Sequence, residues 1–291
     1  MVNLEISNEN SKTTQGNADG CSICAVVVWY YPTKEFVDNI QSYSPYVSRV
    51  IVIDNSPSCN QNLLPEDLRA SNFWQKENIG IAAALNFGLQ LAEKNGFRFA
   101  LTMDQDSKFA GEHANLMFGS EFEKLCTPSV AILAPRVEPG EPLAAAQHDS
   151  VITSGNIFSV SAWRHVGMFN SSYFIDQVGH EFCYRLRRSG YLIVQSGIAH
   201  MEHTVGSPIN FKFFGKTLSS SNHNPQRRYY MARNRLYLRR EFPEFDRPYI
   251  KFLVLDFLGI VLAERQKLRK IFAILLGVLD FQMGKRGKRE L

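Results

Sequence analysis

The chain has 291 residues, of which 45% are hydrophobic and 21% are charged, a composition that is typical of globular proteins and excludes a largely disordered one. Its five cysteines follow no repeating pattern, which argues against a disulfide framework. The formal net charge is +4, but arginine and lysine concentrate in the C-terminal third. We therefore expect this part of the chain to bind anionic surfaces.

Residues 1–20 are polar and lack the apolar core of a signal peptide, so we interpret them as a flexible N-terminal segment of a cytoplasmic protein. Apolar runs then predict strands over 24–30, 50–53, 72–76, 98–103, 130–134, 151–160 and 191–195. The stretches between them predict helices over 34–44, 80–95, 111–125, 161–167 and 178–189. This alternation predicts an α/β fold with a mostly parallel sheet and helices on both faces.

Residues 100–107 form an apolar run that ends in two carboxylates, Asp104 and Asp106. Residues i and i+2 of an extended segment point the same way, so both carboxylates can face one metal ion or one metal-bound diphosphate. Tyr31 and Asp54 also follow predicted strands, and ligands bind such sheets beyond the carboxyl ends of the strands. The alternative for Asp104 and Asp106 is a solvated turn after a buried strand.

Asn78-Ile-Gly80 reads as a turn that leads into a helix whose first turn is built from small residues, with Asn86 on the same helix. Small side chains let a ligand approach the backbone, and the free N–H groups of a helix start favour phosphate. The alternative is a simple glycine turn before an alanine-rich packing face.

Between about residues 24 and 240 the chain carries a series of short motifs: Tyr31-Pro32, Asp54-Asn55-Ser56, Glu77-Asn-Ile-Gly80 with Asn86, Asp104-Gln-Asp-Ser107, Ser154-Gly155, Glu181-Phe-Cys183, His203-Thr-Val-Gly206 and Arg228-Tyr-Tyr-Met-Ala-Arg-Asn234. In that order they resemble the family 2 glycosyltransferases, and within that family the bacterial rhamnosyltransferase branch.

The resemblance implies a Rossmann-like GT-A domain over 21–240, a nucleotide-diphosphate-sugar donor (dTDP-rhamnose in that branch), a Mg or Mn ion, and transfer with inversion. By position, Asp54 would hold the nucleotide base, Asp104 the ribose or the metal, and Asp106 the metal. His203 would be a third contact to the metal or the diphosphate. We assign Tyr31, Asn78, Gly80 and Asn86 to the same donor site. A metal ion would neutralise the departing diphosphate while a carboxylate deprotonates the acceptor hydroxyl.

The chain departs from the family pattern at the catalytic base, because Gly179 occupies the position where such enzymes usually carry an acidic residue. Asp176 is our first candidate to replace it, since it lies one turn away if the helix starts early, and a helix N-cap is its alternative role. Glu181 is the second candidate, with a salt bridge to Arg185 as its alternative role. His180 is a third candidate, because histidine titrates near neutral pH.

His200 is a rival of His203 as a ligand, since both lie in Ala199-His-Met-Glu-His-Thr204. The family position favours His203. If both histidines bound the ion with Asp106, the nitrogen-rich site would shift its preference from Mg towards Mn.

The C-terminal segment, 241–291, contains two predicted apolar helices with a charged stretch at 264–270 between them and a basic tail. Neither apolar run reaches the roughly 18–20 residues that a bilayer requires. Apolar helices flanked by Lys and Arg suit a membrane surface, where a lipid-linked acceptor would be presented. The alternative is packing on the catalytic domain or on a second subunit. The basic residues lie among aliphatic rather than stacking positions, which argues against nucleic acid.

We therefore expect a peripheral enzyme on the inner face of the cytoplasmic membrane. It would move rhamnose from dTDP-rhamnose to a lipid-linked saccharide in the synthesis of a surface polysaccharide such as O-antigen or capsule. The alternative, motivated by Gly179, is a non-catalytic member that binds nucleotide sugar or acceptor and supports a partner enzyme.

Overall fold

A computed structural model describes residues 22–137, 140–203, 208–213, 216–245 and 248–291. The predicted N-terminal segment 1–20 and residues 204–206 of the His203 motif lie outside these ranges.

Strands and helices alternate through most of the chain. The strands are β1 (Ile23–Trp29), β2 (Arg49–Asp54), β3 (Ala70–Trp74), β4 (Phe99–Asp104), β5 (Ser107–Phe109), β6 (Val130–Arg136), β7 (Ala146–Gln147), β8 (Asn156–Ser159), β9 (Leu192–His203), β10 (Ile209–Phe213) and β11 (Lys216–Ser220). The helices are α1 (Lys34–Gln41), α2 (Ile81–Lys94), α3 (His113–Phe118), α4 (Val160–His165), α5 (Val178–Arg188), α6 (Pro225–Glu241), α7 (Tyr249–Leu262) and α8 (Lys267–Gln282).

The main sheet has the strand order β3-β2-β1-β4-β8-β6-β9-β5, with β7 on the side of β9. Strands β3, β2, β1 and β4 are parallel, and β8 runs antiparallel to both β4 and β6. Strands β6 and β9 are again parallel to each other. The α/β class with helices flanking a large sheet is confirmed, and its parallel half brings the ends of β1, β2 and β4 to one edge.

Helices cover both faces of the sheet, which explains why β1 is apolar at every position. Cys24, Val26 and Val28 belong to the buried cluster that contains α2, while the residues between them belong to the cluster that contains α1. Gly88 of α2 lies directly against Val26, so a side chain there would collide with β1.

Several predicted elements differ from the structure in extent. The strand predicted over 151–160 forms only at β8, and residues 151–153 instead line a cleft. The helix predicted over 111–125 ends with α3 and is followed by a 3-10 turn. Helix α6 was not predicted as a helix, because arginine, tyrosine and asparagine occupy most of its buried positions and interrupt the apolar stripe.

The C-terminal helices pack on the rest of the protein through α6. Gly277 lets α8 approach α6 closely, since a Cβ there would lie 2.5 Å from the Tyr229 carbonyl oxygen. The basic tail is paired with acidic side chains: Arg286 with Glu241, Arg289 with Asp280, and Lys288 with Glu77. Within the described residues, each helix is too short or too polar to cross a membrane.

We predict that Gly88→Ala destabilises the protein by about 1–3 kcal/mol, because the added methyl group overpacks the contact with Val26. At an exposed helix position the same change would stabilise by about 1 kcal/mol. Urea denaturation measures the free energy of unfolding, with Gln90→Ala on the exposed face of α2 as the control. Unchanged or increased stability of Gly88→Ala would contradict the proposed contact.

Candidate active site

A cleft of about 410 Å³ lies beyond the carboxyl end of β4. Its walls come from seven parts of the chain, which are the end of β1 with Val28 and Tyr30, Ile81 at the start of α2, Asp104–Asp106 at the end of β4, the segment 151–153, the segment 175–180, His203 at the end of β9, and the segment that carries His223 and Arg227. The position agrees with the rule that open α/β sheets bind ligands beyond the carboxyl ends of their strands.

Asp104, Asp106 and His203 form the centre of this cleft. Each offers one ligand atom, and these atoms lie within 4.8 Å of one another. His203 reaches the two carboxylates because β5 pairs with β9, which places Ser107 opposite His203. The Oδ1 atom of Asp106 is buried, lies 3.6 Å from His203 Nδ1 and accepts no hydrogen bond within the described part of the chain. A buried carboxylate oxygen without a donor is costly, and a cation would compensate it.

A chain of hydroxyl groups supports this centre from behind. The Asp104 N–H donates to Ser154 Oγ over 2.9 Å, and the Ser154 hydroxyl donates to Ser107 Oγ over 2.8 Å. Ser107 Oγ in turn lies 2.8 Å from His203 Nδ1. Hydrogen bonds to a ligand's second nitrogen or its backbone hold the ligand in one orientation, so this chain orients both Asp104 and His203.

His200 points away from the cleft, and the choice between the two histidines follows from strand geometry. Residues three apart in an extended strand lie on opposite faces. His203 therefore faces Asp106, while the His200 ring lies 3.6 Å from the ring of His113.

Burial raises the pKa of Asp104 to about 6, and the neighbouring Asp106 carboxylate adds to the increase. His203 and Arg227 partly offset it. The two carboxylates therefore repel each other at neutral pH in the metal-free protein.

Tyr31 and Asp54 are held near the edge of the sheet but do not line this cleft. Asp54 is fully buried, and its two carboxylate oxygens accept hydrogen bonds from the backbone N–H groups of Ser56 (3.0 Å) and Asn60 (2.9 Å). Tyr31 is exposed, and its N–H donates to Ser56 Oγ. The Asp54 carboxylate thus holds the loop after β2 in place. That Asp54 binds the nucleotide base stays a prediction.

The start of α2 is occupied by protein atoms. Asn78 Oδ1 accepts a hydrogen bond from the Gly80 N–H over 2.9 Å. The Ile81 N–H belongs to the helix start that the sequence analysis considered for phosphate, and it donates to the carbonyl oxygen of Phe174 over 2.8 Å. The structure does not bring Asn78 or Gly80 to the lining of the cleft.

Asn86 also lies away from the cleft, buried on α2. Its Oδ1 accepts from the Trp163 ring and from the Phe169 N–H, and its Nδ2 donates to the Phe169 carbonyl oxygen. The side chain therefore joins α2 to the segment after α4.

Of the two predicted catalytic carboxylates, only Asp176 lines the cleft. Its carboxylate lies 3.6 Å from Arg227 Nε. Glu181 is buried and makes two hydrogen bonds to the Arg185 guanidinium, at 2.7 and 2.8 Å, so its carboxylate is occupied by the ion pair. His180 lines the cleft and lies 3.0 Å from Ser150 Oγ.

Gly179 lines the cleft as well, at the position where the family usually places a carboxylate, and a side chain there would meet Thr153. A Cβ at this position would lie 2.5 Å from Thr153 Oγ1. A side chain at 179 therefore requires at least the Thr153 side chain to move.

No family model matches the chain. It is 25% identical over 244 residues to the dTDP-rhamnosyl transferase RfbF of Shigella flexneri, a match that covers 76% of this chain and 80% of the relative. The chain is therefore a glycosyltransferase. Its resemblance to the rhamnosyltransferase type is confirmed.

Solved structures agree on the fold of the glycosyltransferase. One neighbour is the mannosyltransferase PcManGT from Pyrobaculum calidifontis in complex with GDP-Man and Mn²⁺, at a TM-score of 0.57 and 14% identity. That match covers 92% of this chain and 76% of the neighbour. Another is S. aureus TarS 1–349 in complex with UDP-GlcNAc, also at a TM-score of 0.57 and 14% identity, covering 89% and 80%.

Sequence reasoning missed Arg227 and His223 of the glycosyltransferase's cleft. Arg227 lies in the first turn of α6, and His223 lies just before the N-cap residue Asn224. Asn224 Oδ1 accepts the Arg227 N–H over 2.8 Å and Pro225 follows, which is a recognisable helix start. Burial lowers the pKa of His223 to about 4, and the charge of Arg227 contributes, so His223 is neutral at pH 7.

We predict that Asp104→Asn stabilises the metal-free glycosyltransferase at pH 7.5 by about 1–3 kcal/mol. Folding raises the pKa of Asp104, so the folded protein binds this proton more tightly than the unfolded chain does. The resulting stabilisation is present below the unfolded pKa and is lost as the pH rises through about 6. Asparagine does not ionise and avoids that loss. The stability difference between Asp104→Asn and the unmodified protein should therefore vanish near pH 4, where Asp104 in the folded protein is protonated. Urea denaturation with EDTA at both pH values measures it, with the exposed Asp38→Asn as the control. A destabilised variant at pH 7.5 would contradict the repulsion.

Proposed function

We propose that this glycosyltransferase transfers rhamnose from dTDP-rhamnose, with inversion, to a lipid-linked saccharide acceptor of surface polysaccharide synthesis. The observation that carries the proposal is the convergence of Asp104, Asp106 and His203 in a cleft at the carboxyl edge of the sheet. The name of the curated relative supports dTDP-rhamnose as the donor.

Asp104, Asp106 and His203 fit a divalent cation, Mg or Mn. Two carboxylates and an imidazole are ligands that these ions accept, and the buried Oδ1 atom of Asp106 lacks any other partner in the described residues. When bound there, a cation neutralises the charge that develops on the departing diphosphate. The imidazole nitrogen favours Mn over Mg.

Asp176 is our candidate for the base that takes the proton of the acceptor hydroxyl. It is the carboxylate of the segment 175–180 that reaches the cleft, and it lies in a different part of the wall from Asp104 and Asp106. Arg227, 3.6 Å from Asp176, carries a positive charge into the same space and would bind the acceptor or the diphosphate. His180, in the first turn of α5, is the second candidate for the base.

Binding and turnover test this function. With Mn, we expect titration calorimetry to show binding of dTDP-rhamnose but not of UDP-glucose or GDP-mannose, and we expect EDTA to abolish it. Asp106→Ala should weaken donor binding by roughly 100-fold or more, because it removes a metal ligand. The exposed Asp38→Ala is the control. Unchanged, metal-independent binding in Asp106→Ala would contradict the site.

The packing of Gly179 against Thr153 favours a second function, a non-catalytic protein that binds nucleotide sugar or acceptor and supports a partner enzyme. Asp176→Asn separates the two functions, since it should retain donor affinity and lose turnover if Asp176 is the base. Tight donor binding by the unmodified protein without turnover, across acceptors and metals, would establish the second function.

We further propose peripheral membrane association through α7 and α8. Exposed apolar side chains recur every three or four residues on both helices: Ile250, Val254, Phe257 and Val261 on α7, and Leu268, Phe272, Leu275 and Leu279 on α8. The exposed cations Lys251, Arg265, Lys267 and Arg269 lie on the same two helices and the turn between them. An apolar stripe with adjacent cations suits an anionic lipid surface.

Vesicle flotation tests this surface. We expect the protein to float with vesicles that contain phosphatidylglycerol and much less with neutral phosphatidylcholine vesicles, because the cations add to the apolar contact. Phe272→Ser with Leu275→Ser should lower the bound fraction by at least about tenfold, since full burial of each side chain contributes about 1.5–3 kcal/mol and about 1.4 kcal/mol corresponds to tenfold. Leu143→Ser, at an exposed site elsewhere, is the control. A dimer that the double variant dissociates, without vesicle binding, would assign the surface to a second copy of the chain.

A further inference from the structure

The loop 172–177 carries Asp176 into the cleft, and its backbone is unusual. Phe174 has φ 62° and ψ −69°, and the Ile175 N–H bonds the Tyr173 carbonyl oxygen over 2.8 Å, which is a γ-turn of the rare, strained kind. Asp176 and Gln177 follow with φ of 66° and 61°, in the left-handed region that non-glycine residues avoid. A segment with this backbone persists only where its surroundings hold it.

Asn234 of α6 holds the loop from within the protein. It is 1% exposed, and its Nδ2 group donates to the carbonyl oxygens of Tyr173 (2.9 Å), Ile175 (2.8 Å) and Asp176 (3.0 Å). Its Oδ1 atom accepts from Arg233 Nε over 3.0 Å, which fixes the orientation of the amide. One side chain therefore binds the carbonyl groups on both sides of Phe174, the central residue of the γ-turn.

Arg233 and the C-terminal tail complete this support. Arg233 Nη2 donates to the Ser172 carbonyl oxygen (3.3 Å), and Nη1 donates to the Gly287 carbonyl oxygen (2.8 Å). The Gly287 N–H also donates to Ser172 O over 2.7 Å. The tail is thus part of the loop's support.

The start of α2 closes the other side of the loop. Phe174 O accepts the Ile81 N–H, and a Cβ at Gly80 would lie 2.7 Å from the same oxygen. The absence of a side chain at Gly80 therefore lets the loop approach α2.

We propose that Asn234 is a positioning residue for the transfer reaction, because its amide holds the loop 172–177 in the left-handed conformation that places the Asp176 carboxylate beside Arg227. The inference rests on the proposed role of Asp176 as the base. It also assigns a role to the Arg228–Asn234 motif, whose last two residues bind the loop although neither lines the cleft.

An amide suits this position for a chemical reason. The loop presents carbonyl oxygens, so the side chain must donate, and the neighbouring Arg233 requires an acceptor. Aspartate has nearly the same shape and keeps the acceptor, but it places a carboxylate against the carbonyl oxygens of the loop. Asn234→Asp therefore removes the donor and adds a negative charge, while it keeps the acceptor for Arg233.

Kinetics of Asn234→Asp test the proposal. We expect kcat to fall by roughly 100-fold, as for a displaced catalytic group, while Mn and donor affinities change by less than about twofold. In the Asp176→Asn background, Asn234→Asp should reduce the remaining rate by less than about twofold, since Asn234 acts through Asp176. An equal loss in both backgrounds, or a matching loss of donor affinity, would overturn the positioning role.

Hydrogen exchange of the protein without substrate gives a second readout that does not depend on turnover. The amides of 172–178 should exchange roughly tenfold faster in Asn234→Asp, while those of 99–107 keep their protection. Asn95→Asp, at the exposed end of α2, is the control and should leave both segments unchanged. Asn234→Ser, which is smaller and uncharged, replaces Asn234→Asp if the latter does not fold.

The two measurements separate the possible failures. Faster exchange in the loop together with unchanged kcat would show that Asn234 holds the loop, but it would overturn the role of Asp176 as the base. Unchanged exchange in 172–178 would overturn the positioning role itself, whatever the protein transfers.

Discussion

The candidate active site depends on one strand pairing, in which Ser107 of β5 lies opposite His203 of β9. These residues are 96 positions apart in the chain, and their pairing brings an imidazole to the carboxylates that end β4. The hydroxyl chain through Ser154 links the same three parts of the site. Without this pairing, Asp104 and Asp106 would remain two carboxylates at a strand end, with nothing to complete a cation site.

Holding Asp104 and Asp106 close together destabilises the metal-free protein. Burial and mutual repulsion raise the pKa of Asp104, and the buried oxygen of Asp106 lacks a donor within the described residues. Stability and function therefore oppose each other at this site, as is common where a protein prepares a place for a charged ligand. The remaining stability must come from elsewhere, chiefly from the two apolar clusters that cover both faces of the sheet.

Helix α6 connects the cleft with the C-terminal helices. Arg227 faces the cleft, and the next residue, Arg228, is fully buried and bonds Asp256 of α7 (2.6 Å) and Glu264 after α7. Lys270 of α8 also bonds Glu264, over 2.6 Å. Buried ion pairs of this kind add little net stability, but removing one partner leaves an unpaired charge, so they hold the elements in one arrangement. The start of α6, and with it one wall of the cleft, is therefore set by the C-terminal helices.

Prediction from sequence succeeded where structure follows from local pattern and failed where distant contacts decide it. β1, β4 and α2 follow from apolar runs and helical periodicity, and their boundaries lie within two residues of the prediction. α6 was missed as a helix because its buried face is polar. Glu181 was a reasonable candidate base, but its helix places it four residues before Arg185, and the resulting ion pair occupies its carboxylate.

The sequence by itself determined the parallel half of the sheet and the position of Asp104 and Asp106 at its carboxyl edge, because hydrophobic periodicity and strand ends are local properties. Only the tertiary structure decided that His203 and not His200 joins them, that Asp176 reaches the cleft, and that Asn234 holds its loop. These choices depend on strand pairing, on a strained backbone and on buried hydrogen bonds between distant segments, and no local pattern encodes which segments will meet.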